Sequence, residues 1–229
     1  IITKKAWSKS NIFKKIKFRK INKKIIKTYT EFQSKKILKK YGIEIPHSIL
    51  SNQSNSIKDS KKIGFPLVLK INSKKIIHKT EFKGVFTDIN SETELEKSIK
   101  QLSNLGKSFL IEKMVQNKVA EMIIGIKVDN QFGPLIILGS GGIYTELLKD
   151  SVTLILPLTK PIVLDAIKNL KISKLLYGYR GKAEGDINAL VKTILKVGKF
   201  VEKNASKLIE ADINPLIICN KGKGVIAAD

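Results

Sequence analysis

Sulfur is almost absent from this sequence, and long apolar runs are missing altogether. Cys219 is the single cysteine among 229 residues, so no disulfide can form within the chain, which fits a reducing compartment. No uninterrupted apolar run approaches the roughly 20 residues that a membrane-spanning helix requires, and the first residues lack the compact apolar stretch of a secretory signal. We therefore expect a cytoplasmic protein with no membrane partner.

Arginine is also scarce, although the formal net charge is +23. Such a charge is typical of nucleic-acid-binding proteins, whose basic side chains neutralise phosphates. Of the 43 basic residues, however, only Arg19 and Arg180 are arginines, and arginine is the residue suited to bidentate recognition of phosphate and guanine. The lysines are spread along the whole chain without interleaved aromatic residues for stacking on bases. We expect no nucleic-acid partner, with a basic binding module as the alternative.

Residues 1–27 differ in composition from the rest of the chain, because lysines crowd them and apolar residues are scattered among the lysines. This composition predicts a linker or a peripheral helix; a basic amphipathic helix for a membrane surface or a partner is the alternative. The sequence opens at Ile1 and not at methionine, as a fragment of a longer chain would.

From Thr28 onward, predicted helices and strands are mixed. A short helix ending at Gly42, a helix capped by Ser91 and a longer helix capped by Asp186 follow from apolar spacings of three and four. Strands are predicted at residues 66–71, 109–114, 119–128, 134–138, 208–214, 216–219 and 225–229. The mixture predicts an α/β or α+β fold.

Oxygen-bearing side chains gather in the last predicted strands. Strict alternation in residues 208–214 places Glu210, Asp212 and Asn214 on one face of a strand. A hairpin symmetric about residues 221 and 222 would set Asn214 opposite Asp229. Two carboxylates and an amide are suitable ligands for Mg²⁺, whereas zinc prefers sulfur and imidazole, which are nearly absent here. The alternative is an exposed acidic strand face.

Two further features could contact phosphate. Lys70 lies in a predicted strand with apolar neighbours, and a buried ammonium needs an anion. A structural carboxylate or a nucleotide phosphate would serve equally well. The glycines of residues 139–142 follow a strand and would let backbone N–H groups approach a phosphate. A simple glycine-rich turn is the alternative reading of that segment.

One histidine and two glutamates are also candidates for a site. His78 could carry a phosphoryl group, because a neutral imidazole is nucleophilic near pH 7; a surface histidine is the alternative. Glu112 and Glu121 could accept hydrogen bonds from a ribose or an adenine, or could be ordinary solvated glutamates.

With these residues in place, the chain resembles the ATP-grasp half of the ADP-forming acyl-CoA synthetases, relatives of succinyl-CoA synthetase. The resemblance covers nearly everything from Thr28 to Asp229. Its motifs follow one another in order as KKYGI at 39–43, GFPLVLK at 64–70, IHKT at 77–80, QFGP at 131–134, GSGG at 139–142, ELLKD at 146–150, GYRG at 178–181 and DINPL at 212–216.

The resemblance implies a two-lobed ATP-grasp fold, with an N-terminal lobe at 28–113, a C-terminal lobe at 114–229 and ATP or ADP with Mg²⁺ held between them. It also implies conversion of an acid, CoA and ATP into acyl-CoA, ADP and phosphate through phosphohistidine, with His78 as the shuttling histidine. Asp212, Asn214 and Asp229 are then the metal ligands. The implied nucleotide contacts are Lys70, Gly84, Glu112, Val115, Glu121, Gly139, Gly141 and Gly142.

The chain departs from the family pattern at two positions. Lys83 stands where the family usually has a glycine, and Leu154 stands where a basic residue is usual. The family's CoA-binding half is not in these residues, so we expect a partner subunit or a longer chain to supply it, and no complete reaction without it. The alternatives are an ATP-grasp ligase that forms an acyl-phosphate directly and a non-catalytic basic binding module.

Overall fold

A computed structural model describes residues 27–76, 79–129, 132–142 and 150–229. The described residues form two compact units, which we call the N-terminal unit, Lys27–Lys118 with Ile226–Asp229, and the C-terminal unit, Val119–Val225. The last four residues of the sequence thus belong with the N-terminal unit. The predicted basic linker lies almost wholly outside the described residues.

The N-terminal unit contains three helices and a four-stranded sheet. Its elements are α1 Glu31–Lys40, β1 Ser48–Asn52, α2 Ser56–Ile63, β2 Leu67–Ile71, β3 Val85–Ile89, α3 Glu92–Leu102 and β4 Ser108–Lys113. The strand order is β1-β4-β2-β3, and each neighbouring pair is antiparallel.

Two helix starts in this unit are capped by side chains, and the sequence predicts one of them, the cap of α3 at Ser91. The Thr30 hydroxyl accepts a hydrogen bond from the Gln33 N–H, and the Gln33 side chain accepts one from the Thr30 N–H, so α1 begins with a capping box. At α3, the Ser91 hydroxyl accepts from the Glu94 N–H, while the Glu94 carboxylate accepts from the Asn90 N–H. Both arrangements satisfy N–H groups that a helix start leaves without partners.

The two faces of the N-terminal sheet differ in chemistry. Leu69 on β2 and Ile111 on β4 lie opposite each other and are fully buried in the hydrophobic core, into which α3 packs the predicted face of Leu95, Ile99 and Leu102. Because side chains alternate along a strand, the next residues, Lys70 and Glu112, point to the other face. Both are buried, at 5% and 2% exposure. One face of the sheet therefore packs in the hydrophobic core, and the opposite face, which we call the charged face, carries Lys70 and Glu112.

Among its described residues, the C-terminal unit contains three helices and most of a five-stranded sheet. Its elements are β5 Lys118–Asp129, β6 Gly133–Ser140, β7 Ser151–Ile155, α4 Lys160–Asn169, α5 Ser173–Leu176, α6 Ile187–Asn204, β8 Glu210–Cys219 and β9 Val225–Ala227. The first residue of that sheet, Lys118, and Ile226–Ala227 of its last strand are grouped with the N-terminal unit. The strand order is β7-β6-β5-β8-β9, with β5 and β7 both antiparallel to β6. In α6, the predicted apolar face of Leu190, Ile194, Val197 and Val201 is buried.

One predicted boundary is wrong. The sequence predicts two strands separated at Pro215, but β8 runs without interruption from Glu210 to Cys219. Proline removes one N–H donor but leaves the extended backbone intact, so the strand continues through it. Among the described residues, no helix combines the length and apolar character needed to cross a membrane.

Candidate functional site

Lys70 is held by carboxylates on the charged face of the N-terminal sheet. Its Nζ donates to Glu31 Oε1 at 2.7 Å and lies 3.0 Å from Glu112 Oε2. It also donates a short hydrogen bond to the Ala228 carbonyl. Burial alone would lower the pKa of Lys70, but Glu31, Glu112 and Asp229 outweigh it and raise that pKa. The sequence left open whether a structural carboxylate or a nucleotide phosphate pairs with Lys70, and in this structure the partners are carboxylates.

Lys35 is a second buried ammonium in the same place. One helical turn after Glu31 on α1, its Nζ lies 2.6 Å from Glu31 Oε1 and 2.7 Å from the Ala228 carbonyl oxygen. It also donates to Glu112 Oε1. Burial and the nearby charge of Lys70 lower the pKa of Lys35. Burial would raise the pKa of Glu31, but the three surrounding lysines together hold it well below its ordinary value.

Lys79 bridges the cluster to the predicted metal ligand Asp229. Its Nζ donates to both carboxylate oxygens of Asp229, at 2.8 and 2.9 Å, and lies 3.0 Å from Glu31 Oε2. The Asp229 side chain is 26% exposed, in contrast to 8% for Lys79 and 3% for Glu31. Burial, reinforced by the charge of Glu31, raises the pKa of Asp229 in spite of the two lysines.

These contacts define one buried ion cluster, which consists of Glu31, Lys35, Lys70, Lys79, Glu112 and Asp229. Three ammonium groups face three carboxylates, so its formal charge is zero when all six are ionised. Buried pairs of this kind add little net stability, but removing one partner leaves an uncompensated charge and typically costs about 3–5 kcal/mol. Asp229, its most exposed carboxylate, already binds one cation on both oxygens and is chemically suited to a metal ion.

A tight turn follows Lys79. The Lys83 N–H donates to the Thr80 carbonyl, and the Gly84 N–H donates to the Lys79 carbonyl at 2.7 Å. A Cβ at Gly84 would lie 2.8 Å from Ile71 Cγ2, so only glycine fits there. Lys83, at the first family departure, has a φ of 51°, a conformation that favours glycine. His78 lies outside the described residues.

The glycine segment of the C-terminal unit packs directly on β5. The Gly141 N–H donates to the Glu121 carbonyl at 2.8 Å. A Cβ at Gly141 would lie 2.9 Å from the Glu121 carbonyl carbon, and one at Gly142 would lie 2.5 Å from Glu121 Oε2. Close packing against the β5 backbone therefore accounts for Gly141, and a φ of 62° accounts for Gly142, without a ligand. Their contact with phosphate, like the nucleotide contacts of Gly84, Val115 and Glu121, stays a prediction.

Asp150 contacts Ser140, within the same glycine segment. Its carboxylate accepts from the Ser140 hydroxyl at 2.6 Å and from the Lys171 and Ile172 N–H groups at 2.8 and 3.0 Å. A Cβ at Gly139 would lie 3.1 Å from the Asp150 carbonyl oxygen. Burial would raise the pKa of Asp150, but these hydrogen bonds outweigh it and lower that pKa. The Asp150 carboxylate thus links the end of β6 at Ser140 to the residues that precede α5.

The other two predicted metal ligands lie on β8 as the alternation predicts. Asp212 and Asn214 are exposed, and Ile213 between them is buried. The hairpin turn is also centred as predicted, since the Lys223 N–H donates to the Asn220 carbonyl. However, β9 ends at Ala227, so its pairing does not extend to Asp229. The metal trio stays a prediction, and within the described ranges no three His, Cys, Asp or Glu side chains are grouped to hold a metal ion.

Three members of the buried ion cluster were not assigned a role from the sequence. Glu31 and Lys35 have the four-residue spacing of an ordinary surface ion pair on a helix, and Lys79 has no distinguishing neighbour apart from His78. Their partners are far away along the chain, so spacing alone gives no signal.

At the second family departure, Leu154 on β7 is 4% exposed and lies opposite Ile136, so this position contributes to the apolar core.

Comparison with known proteins agrees with this architecture. Residues 20–229 match the family model described as ATP-grasp domain, and the chain belongs to that family. It is 37% identical over 204 residues to 4-hydroxybutyrate--CoA ligase [ADP-forming] of Nitrosopumilus maritimus. This match covers 85% of this chain and 29% of that protein. It is 34% identical to acetate--CoA ligase [ADP-forming] II subunit beta of Pyrococcus furiosus, over 87% of this chain and 88% of that subunit.

A solved structure from Ca. Korarchaeum cryptofilum shares the fold, with a TM-score of 0.75, 31% identity and coverage of 87% of this chain and 89% of that one. It is an acetyl-coenzyme A synthetase 1 in complex with coenzyme A and Mg-AMPPCP, its phosphohistidine segment pointing towards the nucleotide binding site. The chain thus has an ATP-grasp fold, and it spans less than a third of the full-length ligase but most of the separate beta subunit.

Proposed function

We propose that this chain is the nucleotide-binding, phosphoryl-transferring half of an ADP-forming acyl-CoA synthetase. The overall reaction is acid, CoA and ATP to acyl-CoA, ADP and phosphate. The observation that carries the proposal is the position of Lys70 Nζ, 4.0 Å from Asp229 Oδ2. These are the residues that the family resemblance assigns to the nucleotide phosphates and to magnesium, and they meet in one buried cluster although they are far apart in sequence.

The proposed cofactors are ATP or ADP and Mg²⁺, with Asp229, Asp212 and Asn214 as the metal's protein ligands. Their oxygen atoms are the hard donors that Mg²⁺ prefers. When bound, the metal neutralises charge on the phosphates during transfer. The protein's own contribution is electrostatic positioning: Lys70 is held in place by Glu31 and Glu112, so little reorganisation of this lysine is needed when a phosphate approaches.

His78 is the proposed phosphoryl acceptor, and it directly precedes Lys79. The neutral imidazole attacks the terminal phosphorus of ATP, the bond from that phosphorus to the bridging oxygen breaks, and ADP leaves. Phosphohistidine then passes the group to the rest of the enzyme. The proposed partner is a CoA-binding half, as a separate subunit or as part of one longer chain. The relatives' coverage supports both arrangements, since the match spans most of a subunit and part of a longer ligase.

Phosphate trapping tests the proposal. The chain is incubated with Mg²⁺ and ATP labelled in the terminal phosphate, then denatured, and bound label is measured after acid and after alkaline treatment. We expect label that is lost in acid and retained in alkali, as for phosphohistidine. His78→Ala should abolish it, whereas His47→Ala, at the other histidine, which is exposed, should retain it. Label that survives in His78→Ala would contradict the shuttle.

The same variants separate the two other candidate functions. A ligase that forms an acyl-phosphate directly would keep its activity in His78→Ala. A basic binding module would show no thermal stabilisation by Mg·ADP and a steeply salt-dependent affinity for nucleic acid.

A further inference from the structure

The ammonium of Lys79 covers the carboxylate of Asp229. Both Asp229 oxygens accept from Lys79 Nζ, at 2.8 and 2.9 Å. A cation bound in this way occupies the position that a metal ion would take if it used both oxygens. Mg²⁺ bonds to oxygen at about 2.0–2.1 Å, closer than an ammonium, and two cations on one carboxylate repel each other.

Lys79 also has a second carboxylate partner, in an ion pair that does not involve Asp229. Its Nζ lies 3.0 Å from Glu31 Oε2, within the buried interior of the cluster. If a metal ion takes Asp229, the ammonium can keep Glu31 and remain paired. The displacement therefore needs no exposed, unpaired lysine. The position of Lys79 differs from that of Lys35, which contacts Glu31, Glu112 and the Ala228 carbonyl but not the side chain of Asp229.

The backbone of Lys79 is part of the turn that follows His78. The Lys79 carbonyl accepts from the Gly84 N–H at 2.7 Å, so the backbone of Lys79 closes the turn that ends at Gly84. Lys79 thus contacts the predicted metal ligand Asp229 through its side chain and directly follows the predicted phosphoryl acceptor His78 in the sequence.

We propose that Lys79 is a resident counter-ion of Asp229, which a divalent metal ion must displace in order to bind that carboxylate. The inference rests on the proposed function, because that proposal assigns Asp229 to the metal. Lys79 holds the site neutral before the metal arrives and lowers its apparent metal affinity by competition. Metal loading releases the ammonium from Asp229 and leaves it paired with Glu31.

Titration with Mn²⁺ in the absence of nucleotide tests the competition, with free Mn²⁺ measured by electron paramagnetic resonance. Lys79→Met should bind Mn²⁺ roughly tenfold more tightly than the wild type, equivalent to about 1.4 kcal/mol. Lys79→Gln, which lacks the charge but keeps a donor group, serves as a second variant if Lys79→Met does not fold. Unchanged or weaker Mn²⁺ binding by the folded variant would overturn the proposal.

Two control variants separate competition from a general effect of charge. Lys75→Met removes an exposed lysine four residues earlier, and Lys35→Met removes an equal charge from the same cluster without touching the Asp229 side chain. Lys75→Met should leave Mn²⁺ affinity within about twofold of the wild type, because charges at the surface are screened. Lys35→Met should tighten Mn²⁺ binding less than Lys79→Met does, because the Lys35 ammonium does not cover the oxygens of Asp229. Equal tightening in Lys35→Met and Lys79→Met would show a general charge effect and reject the counter-ion role.

Titration of the wild type with ADP at saturating Mn²⁺ keeps the two proposals distinguishable. Failure to bind ADP would count against the proposed function while the Mn²⁺ comparison between variants still decides the role of Lys79. Binding of ADP together with unchanged Mn²⁺ affinity in Lys79→Met would remove the counter-ion proposal alone.

Discussion

Lys83 is a residue whose backbone conformation conflicts with its side chain. Its φ of 51° lies in the left-handed region, where a Cβ is unfavourable by about 1–2 kcal/mol. Members of the resembled family usually carry glycine at this position, and the turn from Lys79 to Gly84 provides the physical reason. The departure therefore concerns local strain in the turn, and the lysine side chain itself is exposed.

Replacement of Lys83 by glycine should stabilise the protein by roughly 0.5–1 kcal/mol, because relief of left-handed strain exceeds the added entropy of the unfolded chain. Urea denaturation monitored by circular dichroism measures the change. Lys75→Gly, at an exposed lysine outside the left-handed region, should instead destabilise by a similar amount. A destabilised Lys83→Gly would mean that the lysine side chain contributes contacts that outweigh the strain.

Glu31 is the carboxylate on which all three buried lysines converge. Its replacement by glutamine should reduce the free energy of unfolding by about 3–5 kcal/mol at pH 7, since the lysines then lack a partner. The folded-state pKa of Glu31 is lowered. Its stabilising contribution is therefore complete above the unfolded-state pKa of about 4.3 and is lost as the pH falls from there towards the folded-state value.

Comparison of wild type and Glu31→Gln by urea denaturation between pH 7 and pH 3 checks this dependence. The difference in unfolding free energy should be constant down to about pH 4.5 and narrow below it. A difference that widens on acidification would contradict the lowered pKa. Glu96→Gln, on the exposed side of α3, should change stability by less than about 0.5 kcal/mol at every pH.

At the scale of elements, the Asp150 carboxylate joins the end of β6 to the segment before α5. Asparagine has one acceptor oxygen where the carboxylate has two, so Asp150→Asn loses at least one of the three hydrogen bonds and the charge that strengthens them. We expect a loss of about 2–3 kcal/mol in unfolding free energy, as for hydrogen bonds to charged groups.

Two matched variants locate that effect. Ser140→Ala removes one of the three donors and should cost about 1 kcal/mol, while Asp165→Asn, at an exposed carboxylate on α4, should cost less than about 0.5 kcal/mol. If Asp150→Asn lost no more unfolding free energy than Asp165→Asn, the hydrogen bonds of Asp150 would contribute little to stability.

The sequence predicts the elements whose signals are local. Capping residues and apolar spacing locate α1, α3 and α6, and alternation places Asp212 and Asn214 on one face of β8. Signals were weaker for α2, β3 and β7, which were not predicted, because each spans eight residues or fewer and shows no sustained apolar period. The continuity of β8 through Pro215 depends on pairing within the sheet, which a local rule about proline does not include.

The candidate site is less predictable than the fold because its contacts join distant segments. Lys70 donates to Ala228, 158 residues later, and Lys35 to Glu112, 77 residues later. The sequence shows that a buried Lys70 needs an anion, but not which one. Only the antiparallel register of β2 and β4 brings Lys70 and Glu112 to the same face.

On the scale of the whole molecule, the formal charge of +23 and the balanced ion cluster respond differently to salt. Repulsion among exposed lysines opposes the compact state and is screened by added salt, whereas buried pairs are screened much less. The melting temperature should rise by roughly 2–4 °C between 0.05 and about 0.5 M NaCl, equivalent to about 1 kcal/mol. Differential scanning fluorimetry measures it, and a falling melting temperature would show that exposed ion pairs outweigh the repulsion.

The carbonyl of Ala228 accepts hydrogen bonds from both Lys35 and Lys70, and this has a consequence for genetic experiments. A main-chain oxygen is present whatever amino acid occupies position 228, so scanning that position by ordinary mutagenesis leaves the acceptor in place. Its contribution becomes visible only through chemical synthesis of the backbone, for example a thioamide at residue 228, whose sulfur is a poorer acceptor than oxygen.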